Sequence, residues 1–265
     1  MAILKSRREI ELMRQAGCIV YRVLEHLRQI AKPGVTTAEL DAVAEHMIRQ
    51  AGAEALFKGV RSAEARFPFP AAICASLNEE VVHGIPGPRE LKEGDILSVD
   101  CGVRLKGYCG DAATTIAVGT VEPEVHRLLE VTQEALEVAI REVRPGRGWN
   151  EVARQMQRHV EDAGMSVVRK FVGHGIGREM HEDPKVPNFV EPGQRQDIPL
   201  ESGLVLAVEP MVNLGTAGVK YADSTGWTVV TTDGRPSAHF EHMLAVTSDG
   251  VDVLSDGHEK AAAGE

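Results

Sequence analysis

A ten-residue segment of this chain occurs twice, and that repeat constrains the fold more than any other feature. LKEGDILSVD, from Leu91 to Asp100, returns as LESGLVLAVE, from Leu200 to Glu209. The leucines, the glycine and the valine coincide, and each copy ends in an acid, the two lying 109 residues apart (209 against 100). A fixed-offset repeat marks a duplicated unit. The helix signals repeat as well. Apolar positions at Ile10, Met13, Gly17, Val20, Leu24 and Leu27 give a helical stripe from about Arg7 to Ile30, broken by Lys32-Pro33-Gly34. Thr36-Thr37-Ala38-Glu39 is a capping-box signature for a second helix, which buries Leu40, Val43, Met47 and Ile48 and stops at Gly52. The pair returns as a helix from about Pro123 to Val143, broken by Arg144-Pro145-Gly146, and one from about Asn150 that buries Val152, Met156 and Val160 and stops at Gly164. A weaker echo sets His83-Gly84-Ile85 against His174-Gly175-Ile176. No Pro/Ser-rich linker separates the copies. The expected architecture is α+β, a single domain over 1–265 with pseudo-symmetric halves at about 1–120 and 121–255 and a polar tail over 256–265.

The chemistry is carried by acids at strand ends. Ile96–Val99 is an apolar run that ends in Asp100; a turn-prone GVRLKG follows, and Asp111 leads into Thr114–Val118. The pattern is that of a β-hairpin. Two carboxylates facing each other across such a ladder repel unless a cation lies between them. A divalent metal meets that need; two solvated hairpin acids are the alternative. Two further acids follow apolar or strand-like residues, Glu209 before Pro210 and Glu241 within SAHFEHMLAV, with histidines at 83, 174, 181, 239 and 242. Four carboxylates and one imidazole can hold two divalent ions ~3.5–4 Å apart, the geometry of two-metal hydrolases. Oxygen-rich ligation favours manganese, iron(II) or cobalt over a structural thiolate zinc.

The bulk numbers narrow the function class. A net charge of −10 argues against specific nucleic-acid binding, which uses a basic face. No apolar run reaches the ~18 residues of a membrane span, and MAILKSRREIELM lacks the apolar core of a signal peptide. A cytoplasmic protein without membrane attachment is expected. Cys18, Cys74, Cys101 and Cys109 form no CxxC pair, and free thiols are the expectation.

Taken together, NEEVVHGIPG (78–87), LSVDCGVRLKGYCGDAATT (97–115), VGHGIGREMHEDPKVPNF (172–189), VLAVEPMV (205–212) and GWTVVTTDGRPSAHFEHMLAVT (226–247) resemble the type I methionine aminopeptidases. The resemblance runs from about Ile3 to Leu254. It implies the pita-bread fold, an antiparallel sheet in pseudo-twofold halves with helices on its outer face. It also implies a dinuclear aminopeptidase that removes the N-terminal methionine from nascent proteins and peptides, preferring a small uncharged second residue, with a metal-bridging hydroxide attacking the scissile carbonyl. The metal ligands fall on Asp100, Asp111, His174, Glu209 and Glu241, with Asp111 and Glu241 bridging, Asp100 on one ion, and His174 and Glu209 on the other. The ions would be cobalt, manganese, iron(II) or zinc. Catalytic roles fall on His83, His181 and Glu209. Substrate contacts fall on His83 and His181 and, in the methionine pocket, on Phe69, Cys74, Met180 and Trp227. Arg66 and Met180 stand where the resemblance suggests aromatic residues. Partners would be nascent polypeptide N-termini near the ribosome, met by a monomer. An Xaa-Pro peptidase and a binding module without catalysis are the rivals.

Overall fold

The computed structural model describes residues 2–258; the expected polar tail lies outside the described residues from 259 onward. Helix α1 (Arg7–Ile30) starts at Ser6. The Ser6 hydroxyl accepts the Glu9 N–H, while the Glu9 carboxylate accepts the Ser6 N–H. This capping box, unlike the next, was not singled out in the sequence. Helix α2 (Thr37–Gln50) starts at the expected box of Thr36 and Glu39. Each cap is worth about 1 kcal/mol. Met13, Gly17, Val20, Leu24 and Leu27 are buried as expected, with Leu40 and Ile48 from α2. Strands β1 (Glu54–Ala55), β2 (Ile73–Leu77), β3 (Glu80–Val82), β4 (Ile96–Leu105) and β5 (Tyr108–Ala117) follow. The second half opens with α3 (Pro123–Glu142) and α4 (Trp149–Asp162), which buries Val152, Met156 and Val160. Its strands are β6 (Ser166–Val167), β7 (Gly173–Gly175), β8 (Glu182–Val186), β9 (Val205–Val208), β10 (Met211–Asn213), β11 (Val219–Tyr221), β12 (Val229–Thr231), β13 (Ser237–His239), β14 (His242–Val246) and β15 (Val251–Val253).

The hairpin is longer than the sequence suggested. The GVRLKG segment is mostly strand, and only Lys106 and Gly107 turn, both with positive φ, 51° and 81°. Two left-handed residues match the twist of the strands they join. Val103 is fully buried opposite Gly110, and a wider turn would have exposed it.

Side chains alternate across these strands. Leu97, Val99 and Cys101 pack with α1 and α2 in one core cluster, and Leu206 and Val208 pack with α3 and α4 in another. Each helix pair therefore covers the outer face of its own sheet, and alternation directs Asp100 and Glu209 to the opposite face. The halves also share a register. In the first, β4 and β5 pair with Asp100 opposite Ala113 and Gly102 opposite Asp111. In the second, His242 faces Val208 and Met211 faces His239, one continuous register interrupted at Glu209-Pro210 and Phe240-Glu241. Pro210 has no N–H for the ladder. The Glu241 N–H turns instead to the Ala113 carbonyl at 2.9 Å. Matching Asp100 to Glu209 then matches Ala113 to Glu241 and Asp111 to His239. The echo of His83 in His174 does not survive this test. His174 pairs with Ala207, the counterpart of Ser98, and Ser98 pairs with Ser76. Ser76 is the positional equivalent of His174, whereas His83 follows β3 in a left-handed conformation, φ 59°.

Candidate active site

One cavity of about 840 Å³ receives Asp100, Asp111, His174, Glu209 and Glu241, and also His83, His181, Phe69, Cys74, Met180 and Trp227. Every residue singled out in the sequence for ligation, catalysis or substrate contact thus lines the same space. Strand geometry explains the convergence. Asp100 and Asp111 are diagonal neighbours on one face of the β4–β5 ladder, a separation of roughly 7–8 Å between such positions. Glu241 enters from the second half through its bridge to Ala113, and His174 arrives on β7 beside β9.

Ligand atoms of Asp111, His174 and Glu241 lie within 4.8 Å of one another. His174 Nε2 is 3.9 Å from Asp111 Oδ2 and 3.7 Å from Glu209 Oε1. Its Nδ1 lies 2.9 Å from the Gly175 carbonyl, which fixes that nitrogen as the donor and leaves Nε2 a lone pair toward the acids. Asp100 Oδ1, Asp111 Oδ1 and Glu241 Oε1 are buried without a hydrogen-bond partner. Burial raises the Asp100 carboxyl to about 7. Burial, with the charges of neighbouring acids, pushes Asp111, Glu209 and Glu241 well above the ordinary carboxylate range. Four acids cannot all ionise in one buried space unless cations join them. Orphaned oxygens that converge on a bare imidazole nitrogen fit divalent metal.

Beside the acids lies an apolar recess. Phe57, Phe69, Ala71, Cys74 and Trp227 form one buried cluster, with Met180 packed against it. Phe69 meets Trp227 edge-on at 5.1 Å and Phe57 at 6.5 Å. Trp227 Nε1 donates to the Phe67 carbonyl at 2.8 Å, which holds the indole in place. Cys74 pairs with Asp100 in the ladder, and burial, then Asp100 and Asp111, raise its thiol. His83 packs edge-on against Trp227 and Phe171, at 6.3 and 5.3 Å. Burial lowers its imidazole to about 4, so it is neutral at pH 7. The His181 ring lies 4.4 Å from that of His174. Arg66 is exposed and outside the cavity lining, so it leaves the recess unaltered. Phe57 and Phe171 were missed; both lie in loops whose apolar residues carry no periodicity.

Residues 11–248 match the model of metallopeptidase family M24. A methionine aminopeptidase of Clostridium perfringens is 47% identical over 96% of this chain and 99% of its own length. Methionine aminopeptidase 1 of Bacillus subtilis is 46% identical, again over 96% and 99%. The crystal structure of methionine aminopeptidase from Thermotoga maritima superposes with a TM-score of 0.90 at 40% identity, covering 96% of this chain and 99% of that one. The chain belongs to metallopeptidase family M24 and has the pita-bread fold. It is an enzyme of the methionine aminopeptidase group, a metallo-exopeptidase.

Proposed function

We propose that the whole chain works as one catalytic unit that removes N-terminal methionine from nascent proteins and peptides, with a small uncharged second residue preferred. The observation that carries the reading is the adjacency of two unlike surfaces in one cavity, the cluster of orphaned acids and the aromatic recess. Asp111 and Glu241 would be shared between the two ions, with Asp100 holding one and His174 and Glu209 the other. The chemistry that divalent metal would supply here is a lowered pKa for the attacking water and polarisation of the scissile carbonyl. Glu209 takes the proton of the attacking water and returns it to the departing amine. His181 hydrogen-bonds the carbonyl oxygen as charge grows on it, and His83, neutral, contacts the scissile amide nitrogen. Phe57, Phe69, Cys74 and Trp227 enclose the methionine side chain, and Met180 closes the recess with a flexible thioether. Cytoplasmic chains emerging from the ribosome are the substrates this implies, met by a monomer. Among the described residues no helix is long and apolar enough to cross a membrane.

The test is kcat/KM for Met-Ala-Ser, Leu-Ala-Ser and Met-Lys-Ser, each with metal-stripped and metal-loaded protein. Cleavage is expected only after loading, with Met-Ala-Ser first. A hydrophobic pocket distinguishes one methylene by only ~1–3 kcal/mol, so some cleavage of Leu-Ala-Ser is expected. The reading fails if Leu-Ala-Ser matches Met-Ala-Ser, or if Met-Lys-Ser is cleaved equally well.

A further inference from the structure

His239 is a histidine to which the proposed chemistry gives no task. It is 2% exposed and lines the same cavity. Its backbone is clamped at both ends by one side chain. Thr115 Oγ1 accepts the His239 N–H at 2.9 Å and donates to the His239 carbonyl at 2.8 Å. With that hydrogen committed, the Ser98 hydroxyl 2.8 Å away donates to Thr115 Oγ1, and the clamp is complete. The ring it holds has a buried Nε2 with no hydrogen-bond partner, 3.7 Å from Glu209 Oε2. The other oxygen, Oε1, faces His174 at the same distance. Glu209 thus lies between two imidazoles, one for each oxygen. His242, the neighbouring histidine, differs: its Nδ1 lies 2.9 Å from Ser255 Oγ and is satisfied.

We infer that His239 is a positioning residue, whose Nε2–H holds Glu209 Oε2 and leaves Oε1 as the oxygen turned to the metal. The inference rests on the reading of Glu209 as ligand and base. Opposite a carboxylate, an imidazole nitrogen must carry its hydrogen. A buried donor left unpaired is costly, and a small rotation of either side chain relieves that cost. Catalytic hydrogen bonds are often long before substrate arrives and tighten with it. The register gives the arrangement a second meaning. His239 occupies the position that Asp111 holds in the first half, so the second half places a donor where a fifth acid would have repelled the other four. Removing the donor would free the Glu209 carboxylate to rotate, weakening it as a base without removing it from the set of residues that would hold metal.

The experiment compares His239→Ala, His239→Gln and His239→Leu with the unaltered enzyme. Three quantities are read: kcat and KM on Met-Ala-Ser at matched cobalt occupancy, cobalt affinity by calorimetry, and the visible absorption of bound cobalt. Loss of a group that orients a metal ligand costs roughly 10–100-fold. His239→Ala is expected to lose about that factor in kcat with KM within about threefold, to keep its cobalt, and to shift the cobalt absorption. Gln, which offers an amide N–H, is expected to recover most of the rate and the original absorption, and Leu neither. If the Ala variant fails to fold, the Gln and Leu pair decides. Unchanged rate and absorption in the Ala or Leu variant would overturn the inference. So would loss of cobalt, which would make His239 a ligand, or a Gln variant no better than Leu. Glu209→Gln separates this from the parent reading. Full activity there defeats the role of Glu209 itself, whereas an inactive Glu209→Gln beside a wild-type His239→Ala defeats only the role of His239.

Discussion

Glu241 donates its backbone N–H to the carbonyl of Ala113 across 2.9 Å, and by register these two residues are each other's counterparts in the duplicated halves. A bond between equivalent positions belongs on the pseudo-twofold axis. The acid cluster is therefore assembled where the halves meet: Asp100 and Asp111 come from one, and His174, Glu209 and Glu241 from the other. Neither half holds the complete set.

Asp111→Asn and Glu241→Gln are each expected to lower turnover by at least ~10³ while leaving the far-ultraviolet circular dichroism unchanged. An amide is isosteric with the carboxyl but cannot neutralise two cations, and electrostatic terms of this kind dominate hydrolytic sites. Turnover measured at matched metal occupancy is the check. Near-normal rates in either variant would defeat the proposed bridging role.

Metal removal is expected to make stability pH-dependent. In the unfolded chain carboxyls titrate near 4. In the folded, metal-free protein burial raises Asp100 to about 7, and Asp111, Glu209 and Glu241 rise with it. A raised carboxyl pKa means that the folded state holds its protons more tightly. That contribution is complete below about pH 4 and is lost as pH rises through about 7. Thermal melts of chelator-treated protein are expected to show Tm falling by at least ~5 °C between pH 5 and pH 8. Metal-loaded protein is expected to hold its Tm, because an ion that binds only the folded state offsets the repulsion.

How much of this was legible in the sequence depended on whether a residue belonged to a pattern. The repeat of Leu91–Asp100 in Leu200–Glu209 located both central strands, and the breakers at Pro33, Gly52, Pro145 and Gly164 ended all four helices, because those signals are local. The hairpin turn was drawn too wide, over 102–107 instead of Lys106-Gly107, since Val103 is kept in the strand by burial that depends on the helices above it. The four acids and one imidazole of the candidate metal site could be named from motifs, yet their convergence depends on one inter-half bridge that no local spacing encodes. His239 was visible only as a histidine next to Glu241. Its partner Glu209 is 30 residues away in the chain (239 against 209), and only the register brings them together.

His83→Ala and His181→Ala are expected to keep metal and lose rate. His83 is held edge-on between Trp227 and Phe171, and burial keeps it neutral at pH 7, so its proposed role is that of a positioned donor and not of a fixed charge. One such donor is worth ~10²–10³ in turnover. Elemental analysis alongside single-turnover kinetics makes the check. Loss of metal from either variant would place that histidine among the ligands.

Gly102 allows the apolar recess to lie against the acid-bearing hairpin. It pairs with Asp111 in the ladder. A Cβ at this position would stand 2.9 Å from Phe57 Cε1 and 3.0 Å from Met180 Cε. The two neighbours differ in how far they can yield. Phe57 is braced edge-on by Phe69, whereas Met180 ends in a flexible methyl. In Gly102→Ala the new methyl is therefore expected to drive Met180 into the recess and shrink the space for substrate. KM for Met-Ala-Ser should rise about tenfold with kcat within about threefold, the signature of lost ground-state binding. Adding Met180→Ala in the same chain should restore KM, since it removes the displaced group. A fall in kcat at unchanged KM would give the opposite answer, that the strain passes along the ladder to Asp111 and not into the recess.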